Sequence, residues 1–72
     1  MTVRDLLTAA EDYLEVKIIK NNEELFWNEI DGLYDIDKEL LDMTVFRYDY
    51  ETVVVLDSIV SASYDIIVIE VE

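Results

Sequence analysis

A chain of 72 residues that is 53% hydrophobic, with no proline and one glycine, is too short for two domains and too apolar for disorder, so one folded domain is expected. The absence of cysteine and histidine excludes a disulfide framework and a thiolate metal site, and removes the commonest general base and the most reactive nucleophile. Eighteen acids against five bases, a net charge of −13, oppose direct contact with nucleic acid or an anionic membrane, because the phosphates would be repelled.

Thr2-x-x-Asp5 approximates a capping box, and Val3, Leu6, Leu7, Ala10 and Leu14 recur at helical spacing. That predicts a helix over residues 2–13, laid across a sheet. The opening MTVRDLL lacks the apolar core of a signal peptide. The longest apolar runs, in Thr52–Leu56 and Ile66–Ile69, fall far short of the ~20 residues of a membrane helix. A soluble, cytoplasmic protein is expected.

From Leu14 to Lys20 the chain alternates, with Leu14, Val16 and Ile18 on one side and Glu15, Lys17 and Ile19 on the other. Asn21-Asn22 is a turn pair that tolerates left-handed backbone angles, and Glu24–Ile30 resumes as a strand. Residues 14–30 therefore read as an antiparallel hairpin, with Phe26, Asn28 and Ile30 on one face and Leu25, Trp27 and Glu29 on the other. Asp31-Gly32 punctuates the chain, and Asp35 or Asp37 caps a short helix, Lys38–Met43. From Thr44 onward strands are predicted at Val45–Tyr50, Thr52–Leu56, Ile59–Ala62 and Ile66–Val71, with Ser61–Asp65 turning the chain into the last one. The order implies an α+β fold: an antiparallel sheet of about four to five strands, with an N-terminal helix and a short second helix packed on one face.

MTVRDLL, an acid-flanked strand, an Asn turn, a Glu-Leu-Phe strand and then Asp-Lys-Glu-Leu-Leu-Asp together resemble, over residues 1–43, small acidic proteins encoded by phages and prophages. Some of these inhibit host-defence nucleases, anti-CRISPR proteins among them. The resemblance implies a non-enzymatic inhibitor acting in the host-cell cytoplasm.

Chemistry finds little to work with. Ser58, Ser61 and Ser63 have no imidazole to activate them, and no lysine stands at a spacing that suggests a Ser–Lys pair. Carboxylate pairs are too abundant to single out an acid and a base, and so short a chain leaves little room for a sugar cleft. The cluster Asp31, Asp35, Asp37, Glu39 and Asp42 invites a calcium-loop reading. Aligned on Asp35, however, Leu40 stands where the glycine belongs and Phe46 where the closing Glu belongs. With Gly32 the single glycine there is no phosphate loop either. No enzyme, no cofactor and no metal are expected.

The acids are unevenly spread. Residues 1–22 hold four acids and three bases, residues 23–42 eight and one, and residues 43–72 six and one, giving −1, −7 and −5. This is either a solvated face or a binding determinant. On the second reading Glu23, Glu24, Glu29, Asp31, Asp35, Asp37, Glu39 and Asp42 imitate a nucleic-acid backbone. A compact chain of this length is ~29 Å across, and duplex of that length carries roughly 17 phosphates, the same order as the net charge. The partner would be a protein with a basic nucleic-acid-binding groove. The aromatics support an alternative, an adaptor or a homodimer without mimicry. Trp27, Tyr48 and Tyr50 are then contact residues, with Tyr48 and Tyr50 on the face opposite Arg47 and Asp49. The bland reading is that they cover a thin core.

Overall fold

The computed structural model describes residues 1–10, 13, 15–56 and 61–72. Thr2 completes both halves of the capping box. Its hydroxyl accepts from the Asp5 N–H at 3.3 Å, and its own N–H donates to the Asp5 carboxylate at 3.2 Å. Helix α1 follows over Val3–Ala9 and buries Val3, Leu6 and Leu7. It stops short of residue 13: Ala10 is already extended, and its N–H closes the last turn on the Leu6 carbonyl. The chain has left the helix before it enters the sheet at Glu15. Positions 11 and 12 of the predicted helix, and Leu14 of its apolar stripe, lie outside the described residues.

Strands β1 (Glu15–Lys20) and β2 (Glu23–Glu29) form the expected hairpin. Asn21 and Asn22 both have positive φ, 52° and 65°, which is the two-residue turn whose twist suits an antiparallel pair. A bulge then changes the facing. The pairs run Lys20↔Glu23 and Ile19↔Glu24, but next Ile18↔Phe26 and Lys17↔Trp27, so Leu25 is the extra residue. A tight turn without the bulge would set Leu25 opposite Ile18 and put Trp27 and Glu29 on the buried side. The extra residue reverses that, so Phe26 shares a face with Ile18 while Trp27 faces away. Leu25 itself packs against the core instead of sharing the outer face with Trp27 and Glu29.

A short 3-10 turn, Leu33–Asp35, leads into helix α2, Lys38–Leu41, for which Asp37 is the N-cap. The exposed ring of Tyr34 lies over Gly32, where an added Cβ would sit 2.6 Å from its Cε1 and the ring would have to move aside. The N-terminus and the segment after α2 are stitched together. The Val3 N–H donates to the Met43 carbonyl at 3.0 Å, and the Val45 N–H to the Met1 carbonyl at 2.8 Å. Arg4 of α1 pairs with Asp42 at 3.1 Å.

Strand β3 runs unbroken over Val45–Leu56 and β4 over Ser61–Val71. The two strands predicted within 45–56 are one. Ser61–Asp65 is not a turn but the first half of β4, paired from Leu56↔Ser61 to Thr52↔Asp65. Of the predicted strand Ile59–Ala62, Ile59 and Val60 lie outside the described residues. Sheet order is β2-β1-β4-β3. The fold is α+β as expected, but the sheet is mixed: β1 and β4 run parallel at its centre, Glu15↔Ile66 through Ile19↔Glu70, and the two outer pairings are antiparallel. Both helices lie on one face. There Val3, Leu6, Leu7, Ile36 and Leu41 meet Val16 and Ile18 of β1 and Ile67, Ile69 and Val71 of β4. Val16, Ile18, Ile67 and Ile69 are completely buried, so the core sits over the two central strands. The molecule measures 42 × 25 × 17 Å, longer than a compact chain of this size.

Candidate functional site

The helices cover the centre of the sheet and leave both edges open, so each edge follows from the residues on it. At the β2 edge the eight acids singled out from the sequence, Glu23 through Asp42, are all exposed. They follow the chain from the hairpin end along β2 and up onto the helical layer. Glu23 and Glu29 stand at opposite ends of a seven-residue strand, about 20 Å apart at ~3.3 Å per residue. The acids therefore form a band, not a single cluster. Within it, Asp31 and Asp35 are brought together, the Asp31 N–H donating to Asp35 Oδ2 at 2.8 Å. Asp42 is held by Arg4. Asp37 begins α2, but its carboxylate makes no capping bond. Of the eight, only Asp42 has a cationic partner among the described residues. No three acids among those residues converge as a metal site would require, and no helix is long and apolar enough to cross a membrane.

Trp27 lies on the open face of the sheet, 49% exposed, and its ring is already engaged. Its Nε1 donates to Glu15 Oε2 at 2.9 Å, and Lys17 Nζ stands 4.3 Å from the ring centroid, a cation–π distance. Tyr64 of β4 is drawn into this group by the parallel pairing of Glu15 with Ile66. Burial first, then the Glu15 charge, hold its hydroxyl above its ordinary pKa of 10.0. Glu15, Lys17 and Tyr64 had no sequence signal as a group, because the bulge sets Lys17 opposite Trp27 and the parallel pairing of β1 with β4 brings in Tyr64. Ile66 shares this face and is 1% exposed. Its register partners are Glu15 and Glu51.

Tyr48 and Tyr50 stand elsewhere. They pair with Ile69 and Ile67 and so share the helix-side face, as the alternation predicts, but on β3 they lie beyond the helices and stay 47% and 41% exposed. Their rings meet edge to face, with centroids 6.3 Å apart. Trp27 and the tyrosines thus occupy opposite faces and opposite edges and cannot form one contact patch. On the open face of β3 a shallow depression of about 420 Å³ is lined by Ile19, Val68 and the charged Arg47, Asp49, Glu51 and Glu70, with Tyr48 at its rim. Arg47 is ion-paired with Glu70 there.

Among the described residues the sheet narrows beyond Glu51: β1 is described from Glu15, opposite Ile66, and Ala62–Asp65 have β3 as their one described neighbouring strand. Val54, Val55 and Leu56 are 59%, 49% and 81% exposed. The sequence signal was there, an uncharged run from Thr52 to Leu56, but it read as an ordinary strand. No protein-family model, no curated protein and no solved structure matches the chain.

Proposed function

We propose that the protein is a non-catalytic acidic inhibitor whose β2–α2 band occupies the basic, nucleic-acid-binding surface of a protein partner, in the manner of anti-CRISPR or anti-restriction factors. One observation carries the reading: eight exposed carboxylates in a single stretch of chain, with one cationic partner among them. Uncompensated charge of this kind steers a basic surface toward the band and competes with phosphates for it. The molecule's 42 Å length matches duplex bearing roughly 25 phosphates, so −13 spread over the whole surface is sparse. The local −7 of residues 23–42 is what would imitate the backbone.

The test is a pull-down from lysate with the tagged protein. Captured proteins should be released by duplex DNA or RNA and by high salt, because exposed charges are screened beyond ~8 Å at physiological ionic strength. Changing Glu29, Asp31, Asp35 and Asp37 to Lys should abolish capture. Changing Glu11, Asp12, Asp65 and Glu72 to Lys makes the same change in net charge and should weaken it far less. Equal losses would reduce the effect to net charge alone and defeat the localised site. A second reading, an adaptor without mimicry, is favoured by the exposure of Tyr48 and Tyr50. It predicts capture that nucleic acid does not displace and that Tyr48→Ala destroys.

A further inference from the structure

Edge strands invite pairing, and on each edge of this sheet one amide is taken by the side chain before it. On β2 the Glu29 N–H is taken by the side chain of Asn28 at 2.9 Å. On β3 the Tyr50 N–H is taken by Asp49 Oδ1 at 2.8 Å. The Asp49 contact also fixes which β3 amides face outward. Tyr50 turns its backbone to the free edge, and since pairing with β4 is regular from Arg47 to Leu56, Thr52, Val54 and Leu56 do the same. No charge, proline or bulge protects those three positions, the means by which native edges are kept from pairing.

We propose that this edge is a self-association surface, with β3 of a second copy adding antiparallel to β3 and a twofold axis passing near Thr52. Three observations select a second copy. The strand is self-complementary about Thr52: Tyr50 falls opposite the second copy's Val54 and Tyr48 opposite its Leu56, while Asp49 and Glu51 fall opposite valines, so no like charges stand directly across from each other. The four residues of the first two pairs are exposed large side chains on one face. Finally, two chains of −13 repel everywhere else, and Thr52–Leu56 is an uncharged stretch on the perimeter of the sheet.

The proposal does not rest on the acidic-inhibitor reading, and salt separates the two. Binding of the acidic band to a basic partner weakens as salt rises; self-association strengthens, because screening relieves the repulsion between copies. Sedimentation equilibrium of the purified chain at low and high salt should show a species of twice 8.5 kDa, more populated at high salt. A monomer at both salts up to submillimolar concentration overturns the proposal. Val54→Lys should weaken association about tenfold or more, since lysine on an edge opposes strand addition, with an unchanged circular dichroism spectrum. Asn28→Lys on the other edge should leave it intact. Dimers that survive Val54→Lys, or that are lost with Asn28→Lys, refute the surface. Because the chain has no cysteine, a single Thr52→Cys variant can form only an intermolecular disulfide. Directly opposed residues lie ~5.5 Å apart at Cα, within disulfide reach, so oxidation should give a covalent dimer. Asn21→Cys at the hairpin tip should not cross-link; equal cross-linking of both variants would mean collision, not an interface.

Discussion

The two ends of β4 are built from one strand and live in different surroundings. Its inner half, Ile66–Val71, has β1 on one side, β3 on the other and the helices above Ile67, Ile69 and Val71. Its outer half, Ala62–Asp65, has β3 alone among the described strands. The acids follow the opposite bias, concentrated on the β2–α2 side and absent from the ribbon between Thr52 and Leu56. The densest band of acids and the uncharged Thr52–Leu56 stretch thus lie at opposite edges of one small sheet, which lets one edge repel a copy of the protein while that stretch tolerates it.

Hydrogen exchange should show the largest contrast. Amides of Ile67 and Ile69 should exchange near the rate of global unfolding, and those of Ala62 and Ser63 orders of magnitude faster, because local opening of a two-stranded ribbon disrupts little packing. Equal protection in a monomeric sample would erase the distinction. Substitution should follow the same line: Ile69→Ala should cost about 2–5 kcal/mol in thermal or denaturant unfolding, and Val54→Ala in the monomer under about 0.5 kcal/mol.

Smaller effects sharpen the boundary. Asn22, at φ 65°, should lose about 1 kcal/mol on change to Ala, whereas Asn22→Gly should be nearly neutral. Thr2→Ala should cost about 1 kcal/mol through the lost cap. The Asp5 carboxylate, which accepts from the Thr2 N–H, is held below its ordinary value of 3.8. A depressed folded-state pKa means stability that is present above 3.8 and lost as pH falls through the lower folded value. With Asp5→Asn, the acid limb of the melting-temperature profile should therefore flatten. Tyr64 works in the opposite sense. Its raised value contributes stability present below 10.0 and lost as pH rises through the folded value. Ultraviolet titration should show the ionisation of Tyr64 moving to lower pH in Glu15→Gln, which removes the second of its causes.

The local part of the fold could be read from the sequence because its signals are local. The Asn21-Asn22 turn, the Thr2–Asp5 box and the alternation of Val16 and Ile18 each lie within a few residues. Two features could not be read. The Leu25 bulge answers a face requirement set by the helices, and only the assembled layer says that Phe26, not Trp27, must be buried. The long β4 was hidden because Ser61-Ala62-Ser63 has turn-like composition, while the pairing that makes it a strand lies in Val54 and Val55. Of the candidate site, the exposure of the eight acids was legible from charge alone. The placement of Trp27 and the tyrosines on opposite edges was not, since it depends on β1 and β4 joining the two hairpins in parallel.

That parallel joint has a consequence for how the chain is made. The residues that bury Ile18 include Ile67 and Ile69, so the centre of the sheet pairs strands about fifty positions apart. Contacts of such sequence separation close late. On a ribosome the first hairpin and α1 emerge without the Ile67, Ile69 and Val71 share of their core, and lack it until residues 66–71 have been synthesised. During that interval a nascent chain is protected from its neighbours chiefly by charge, and eleven of its eighteen acids lie in the first 40 residues.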